Sequence, residues 1–141
     1  MEGSTLVTLA LNIAIQAHKD QFRRDGKTPY IEHPKAVAEQ FKEPRLRALA
    51  YLHDVIEDSN ISLTTLKELG IPQNILDSLN RLTKRKLESY ADYILSCLYD
   101  PDARAVKIED IKHNLLTSSG NQKAKYELAL YILEKGGYDA C

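Results

Sequence analysis

Two adjacent residues, His53 and Asp54, place an imidazole next to a carboxylate within an otherwise apolar run. A lone His33 lies upstream of them, and Asp110 lies far downstream. Mixed nitrogen and oxygen ligands of this kind suit a divalent metal ion that activates water. The residue types therefore predict a metal site assembled from distant parts of the chain, with hydrolysis as its chemistry.

Two further acids, Glu57 and Asp58, follow the His-Asp pair. On a continuous helix His53 would share a face with Glu57, and Asp54 would share one with Asp58. The acids lie at the carboxyl end of this predicted helix, where the helix dipole opposes negative charge. We interpret them as groups that accept a proton from water. The alternative interpretation of His53 is a histidine packed in the core. The alternative interpretation of Glu57 and Asp58 is a solvated acidic helix end.

A second predicted helix adds polar groups on one face. Asp110 and Asn114 are four residues apart, and Thr117 follows three residues later. Asp110 interrupts a helix whose inward face is otherwise apolar. Because a buried carboxylate without a partner is costly, a cationic group is expected to meet it.

Basic residues gather in two short clusters, Arg23-Arg24 with Lys27, and Lys84-Arg85-Lys86. The chain as a whole has 19 basic and 20 acidic side chains and a formal net charge of −1. This balance argues against a nucleic-acid partner. A small anionic ligand needs only a few basic groups, and a solvated loop is the alternative interpretation of each cluster.

Helix signals dominate the chain, and no alternating strand pattern of useful length occurs. Proline, serine and glycine mark the ends of about eight predicted helices. These helices cover Thr5 to about Phe22, Pro34 to about Lys42, Pro44 through Ile56, Ser62 to Gly70, Pro72 through Leu82, Glu88 to Tyr99, Pro101 through Leu115, and Gln122 to Lys135. Short helices without a persistent heptad predict an all-α fold, a compact orthogonal bundle rather than a coiled coil.

The length of 141 residues predicts one domain, residues 1–141, large enough to be stable without disulfides. Cys97 and Cys141 are interpreted as unpaired, so nothing argues for an oxidising compartment. The apolar stretch from Leu6 to Ile15 is too short to span a bilayer and lacks the features of a leader. We therefore expect a cytoplasmic protein.

Several motifs occur in a fixed order along the chain. They are the arginine pair at 23–24, Pro-Tyr-Ile-Glu-His-Pro at 29–34, Leu-His-Asp-Val-Ile-Glu-Asp at 52–58, Leu-Thr-Lys at 82–84, and Val-Lys-Ile-Glu-Asp-Ile-Lys-His-Asn at 106–114. This order resembles the HD-domain hydrolases of the RelA/SpoT type, including the stand-alone small alarmone hydrolases. The resemblance covers roughly Ala14 to Thr117. It implies the HD-domain fold and removal of pyrophosphate from the 3′ position of (p)ppGpp.

The resemblance also implies roles for individual residues. The implied metal ligands, usually of manganese (Mn2+), are His33, His53, Asp54 and Asp110, with Glu57 and Asp58 assisting the attacking water. The implied substrate-binding residues are Arg23, Arg24, Asn114 and Thr117. Lys27 is added to them as a candidate, although the turn that carries it is one residue longer than is common in the family. Tyr30 is expected to pack beneath the ligand loop.

Two alternatives to (p)ppGpp hydrolysis stay open. The same metal site suits another 3′- or 2′-phosphorylated nucleotide or a nucleoside monophosphate, and a nucleotide-binding module would lack turnover. The segment between Thr83 and Val106 is shorter than in the longer alarmone hydrolases, which leaves the base preference open. Each interpretation expects a small nucleotide as partner, with no nucleic acid and no membrane.

Overall fold

A computed structural model of the chain describes residues 2–136, and Cys141 lies outside them. The described residues contain nine helices and no strand beyond one isolated bridge between Phe22 and Pro29. The helices are α1 (Gly3–Ala17), α2 (Glu32–Ala38), α3 (Pro44–Leu52), α4 (Val55–Asp58), α5 (Leu63–Glu68), α6 (Gln73–Leu82), α7 (Tyr90–Leu98), α8 (Pro101–Leu115) and α9 (Gly120–Lys135). The predicted all-α class is confirmed. None of these helices combines the length and the apolar composition needed to cross a membrane.

Helix α3 lies at the centre of the packing. Every side chain from Ala48 to Leu52 is buried, and α3 contacts α1, α2, α6 and α8. Helix α8 in turn packs against α2. Because α2, α3 and α8 meet one another, residues far apart in sequence come together where these three helices join.

The predicted helix from Pro44 through Ile56 is divided in the structure. It ends at Leu52 and restarts at Val55, and His53 and Asp54 form a turn between the two parts. Adjacent residues on a continuous helix point about 100° apart. The turn instead brings the His53 and Asp54 side chains together, with Nε2 and Oδ2 3.1 Å apart. The break therefore lets both residues enter one polar cluster.

Helix α1 also ends earlier than expected, at Ala17 rather than near Phe22. Asp20 has a φ of 66°, in the left-handed region that a helix does not continue through. The chain then forms a loop that is closed by the bridge between Phe22 and Pro29. This loop carries the basic residues that the sequence singled out.

Candidate metal centre and active site

Four side chains form the group of potential metal ligands in the part of the chain that the structure describes. They are His33 in α2, His53 and Asp54 in the turn after α3, and Asp110 in α8. One ligand atom from each lies within 4.8 Å of all the others. The structure thus brings together the four predicted ligands, three of them buried and Asp54 partly exposed.

Asp110 is the common neighbour of the two histidines. Its Oδ1 lies 2.7 Å from Nε2 of His33 and 3.1 Å from Nε2 of His53. Each of the two imidazoles therefore directs its Nε2 atom toward the same carboxylate oxygen of Asp110.

The His53 ring is oriented by the backbone. Its Nδ1 lies 2.6 Å from the carbonyl oxygen of Ala50. Because a carbonyl only accepts hydrogen bonds, Nδ1 carries a proton and donates it. In the neutral ring Nε2 then presents its lone pair to the cluster, which is the arrangement that a metal-binding histidine needs.

The Asp110 carboxylate has a cationic partner in Lys107, one helical turn earlier on α8. The Lys107 ammonium donates to Oδ2 of Asp110 at 2.8 Å. Burial lowers the pKa of Lys107, but the Asp110 charge outweighs it and raises the pKa well above its usual value. Burial likewise raises the pKa of Asp110, while Lys107 and the histidines bring it well below its usual value. Lys107 thus holds one carboxylate oxygen and leaves the other for the histidines.

Asp54 is held by Tyr30. The Tyr30 hydroxyl donates to Oδ2 of Asp54 at 2.6 Å. Burial, followed by the charge of Asp54, raises the pKa of Tyr30, so the hydroxyl keeps its proton at neutral pH. The sequence predicted only that Tyr30 packs beneath the ligand loop, whereas its hydroxyl contacts a potential ligand directly.

The electrostatics of the cluster favour a cation. Burial lowers the pKa of His53, yet the carboxylates of Asp54 and Asp110 outweigh it and raise the pKa well above its usual value. Burial raises the pKa of Asp54, and His53 brings it below its usual value. Two carboxylates and two imidazole nitrogens in one buried site therefore fit a divalent metal ion.

The two acids of α4 lie near this cluster. The carboxylate of Glu57 accepts a hydrogen bond from the Lys84 backbone amide at 2.5 Å. Both residues are exposed overall, but neighbouring atoms exclude water from part of each carboxylate. This desolvation raises the pKa of Glu57 and of Asp58, and the negative charge of Asp54 adds to both shifts. A raised pKa makes each carboxylate a better proton acceptor at neutral pH.

A cavity of about 700 Å³ lies beside the cluster, within the size range of small-molecule sites. Its lining includes the predicted residues Arg23, Arg24, Asn114 and Thr117, together with His33 and His113. His33 therefore belongs both to the metal-ligand group and to the cavity wall.

Asn114 connects the cavity to the cluster. Its amide nitrogen donates to Oδ1 of Asp110 at 3.3 Å, and its amide oxygen accepts from the Arg23 guanidinium at 3.4 Å. The hydroxyl of Thr117 donates to the Asn114 carbonyl oxygen at 3.4 Å. These bonds link the basic loop to the residues around the potential ligands.

Lys27 differs from the other predicted substrate-binding residues. It is not among the residues that line the cavity, whereas the other four are. The turn around it is held by Asp25, whose Oδ1 accepts from the backbone amides of Lys27 and Thr28. Hydrogen bonds from Thr28 and then from Lys27 lower the pKa of Asp25 to about 2.

Sequence reasoning gave no role to Lys107 or His113. Lys107 precedes Asp110 by three residues, a spacing that places both side chains on one helix face. The sequence therefore does contain a local signal for the contact between Lys107 and Asp110. His113 contacts His33 across 80 positions of sequence, with the two Nδ1 atoms 2.7 Å apart. No local pattern indicates that contact.

The chain is similar in sequence and in fold to known proteins. No family model matches the chain. The protein named guanosine-3′,5′-bis(diphosphate) 3′-pyrophosphohydrolase MESH1 of Xenopus tropicalis is 32% identical over 124 residues, which cover 79% of this chain and 69% of that protein. The chain therefore belongs to the small RelA/SpoT-type hydrolases, as its motifs predicted.

Longer relatives match the same region. A guanosine-3′,5′-bis(diphosphate) 3′-pyrophosphohydrolase of Haemophilus influenzae is 36% identical over 119 residues, covering 74% of this chain. A probable GTP pyrophosphokinase of Mycobacterium leprae is 32% identical over 125 residues, covering 80% of it. The chain spans 16–17% of the length of these two curated relatives.

The fold is shared with a solved structure described as a metazoan orthologue of SpoT that hydrolyses ppGpp. The TM-score is 0.75, and the match covers 97% of this chain and 89% of the other. At 19% sequence identity, this likeness establishes the fold alone.

Proposed function

We propose that the protein is a metal-dependent phosphohydrolase that removes pyrophosphate from the 3′ position of (p)ppGpp and leaves GDP or GTP. The observation that carries the proposal is the convergence of His33, His53, Asp54 and Asp110 beside a cavity with two arginines. The Haemophilus and Xenopus relatives are named for this reaction, which supports this choice of substrate.

We propose Mn2+ as the ion, on the strength of the family resemblance and of a donor set that mixes carboxylates with imidazoles. A divalent ion bound there lowers the pKa of a water molecule and balances negative charge on the phosphoryl oxygens. The protein's part is to hold the ligands in place. Ala50 orients His53, Tyr30 holds Asp54, and Lys107 holds Asp110.

Glu57 is the first choice for the group that takes a proton from the attacking water, and Asp58 is the second. Desolvation raises the pKa of both. The Lys84 amide fixes the Glu57 carboxylate. Arg23 and Arg24 are proposed to bind the phosphates, with Asn114 and Thr117 orienting the nucleotide.

Replacing Glu57 by glutamine should lower kcat by about 100-fold or more, the range of general-base catalysis. The affinity for Mn2+ should stay within threefold of the original, because Glu57 is not among the grouped ligands. Steady-state kinetics and calorimetric titration measure the two quantities. Glu68→Gln, an exposed acid on α5, is the matched control. Unchanged turnover in Glu57→Gln would remove Glu57 from this role.

Replacing Arg23 by alanine should raise KM by about 10- to 100-fold, the worth of a hydrogen bond to a charged group. Lys27→Ala should raise it much less, because Lys27 is exposed and does not line the cavity. Lys19→Ala, an exposed cation just after α1, serves as the control. Equal KM values for Arg23→Ala and Lys19→Ala would contradict the placement of substrate phosphates beside Arg23.

The substrate is tested by incubating the purified protein with Mn2+ and a nucleotide panel and identifying the products. Release of pyrophosphate from ppGpp, lost on chelation and restored by Mn2+, is expected. Turnover of a different nucleotide, with ppGpp left intact, would overturn the substrate. Tight binding of nucleotides without turnover would overturn the assignment as an enzyme.

We propose the cytoplasm as the place of action. The thiol of Cys97 is free and buried, and burial raises its pKa to about 12. A buried, protonated thiol is stable in a reducing compartment.

A further inference from the structure

His113 joins two parts of the site, the potential ligand His33 and the cavity. The Nδ1 atoms of the two histidines are 2.7 Å apart. Their rings are stacked, with centroids 4.9 Å apart and planes inclined by 30°. His113 also lines the cavity. Because a hydrogen bond between two ring nitrogens needs one donor and one acceptor, the protonation of one ring fixes that of the other.

The direction of this hydrogen bond follows from the proposed role of His33 as a ligand of the ion. Its Nε2 faces the carboxylates, 2.7 Å from Asp110 and 3.7 Å from Asp54. If Nε2 presents its lone pair to a cation among these groups, a neutral His33 carries its proton on Nδ1. That proton is donated to Nδ1 of His113, which must accept it. His113 is then neutral and carries its own proton on Nε2.

The Nε2 atom of His113 makes no hydrogen bond within residues 2–136. The same cavity is lined by Arg23 and Asn114, which are joined by a hydrogen bond. A ring N–H beside a guanidinium suits an anionic oxygen, because both groups donate hydrogen bonds to negative charge.

We propose that His113 is both a positioning residue for His33 and a hydrogen-bond donor to a phosphoryl oxygen of the nucleotide. It accepts from His33 at Nδ1 and donates into the cavity at Nε2. The inference rests on the proposed function, because it takes His33 as a ligand and a nucleotide as the occupant of the cavity. It adds a residue that couples cation binding to substrate binding.

The tautomers are read by long-range ¹H–¹⁵N correlation spectra of the protein loaded with Zn2+, a diamagnetic ion. His113 should carry its proton on Nε2 alone, and His33 should carry its proton on Nδ1. A proton on Nδ1 of His113 would overturn the inference. This measurement involves no hydrolysis, so it tests the tautomers of the two histidines even if the proposed substrate is wrong. If no His33 or His53 signal responds to the ion, the metal site and the inference both fail.

Two variants separate hydrogen bonding from ring packing. His113→Phe keeps a ring against His33 but neither accepts nor donates, whereas His113→Gln supplies an oxygen acceptor and an amide donor. His113→Phe should weaken Mn2+ binding by about 10- to 100-fold, the usual effect of removing a partner of a metal ligand. It should also raise KM by about tenfold or more. His113→Gln should recover most of both losses.

The matched control is Lys112→Gln, at the exposed neighbouring position on α8. It should leave Mn2+ affinity and KM within threefold of the original. Calorimetric Mn2+ titration and steady-state kinetics provide the readouts. If His113→Phe matches the unaltered protein while His113→Gln is impaired, ring packing explains the residue and the inference is wrong.

Discussion

Replacing Asp110 by asparagine should abolish metal binding and hydrolysis together. One oxygen of Asp110 faces both His33 and His53, so this residue is the centre of the ligand group. Asparagine keeps the size of the side chain but removes the negative charge. Mn2+ affinity should fall by more than about 100-fold, beyond the effect of losing a partner of a ligand. Calorimetric titration and a pyrophosphate-release assay measure the two losses.

The control for this variant is Asp102→Asn at the start of the same helix, where the carboxylate pairs with Arg45 near the surface. Loss of a surface ion pair costs about 1 kcal/mol or less. The metal affinity and turnover of Asp102→Asn should therefore stay close to those of the unaltered protein. Mn2+ affinity of Asp110→Asn within threefold of the original would contradict the role of Asp110.

Replacing Lys107 by methionine should cause the largest loss of stability in the metal-free protein. Methionine resembles lysine in length but leaves the buried Asp110 carboxylate without its cation. Breaking a buried ion pair by removing one partner costs about 3–5 kcal/mol. Urea unfolding in the presence of a chelator measures the free energy of unfolding.

The double variant Lys107→Met with Asp110→Asn tests whether that cost comes from the pair. With no charge left on either side chain, the loss of stability should be clearly smaller than the sum of the two single losses. Metal binding should stay absent, because the carboxylate is gone. Losses that add within about 0.5 kcal/mol would mean that the two residues act independently.

Most of the fold could be predicted from the sequence because its helix ends are marked locally. Ser62 and Ser89 accept hydrogen bonds from amides in the first turns of α5 and α7, and prolines begin α3 and α8. The break at His53 and Asp54 carries no such signal. In the folded chain, the two side chains of this turn meet His33 of α2 and Asp110 of α8, which lie far away in sequence.

The group of four potential ligands could be predicted because only a few residue types bind metal ions. In addition, the order of the motifs along the chain resembles that of one family. The partners that orient the ligands were harder to find. Tyr30, Ala50 and His113 act through hydrogen bonds to particular atoms, and such bonds are set by the packing of helices. Lys27 stays a prediction: its charge and its place in the basic loop suggested a binding residue, but it does not line the cavity.

Anomalous diffraction from crystals of the protein grown with Mn2+ would locate the ion among its proposed ligands. We expect one strong manganese peak in direct contact with Nε2 of His33, Nε2 of His53 and one carboxylate oxygen from each of Asp54 and Asp110. Crystals of Asp110→Asn grown in the same way should lack the peak. A peak at another position, or none in crystals of the unaltered protein, would contradict the metal site on which the proposed function depends.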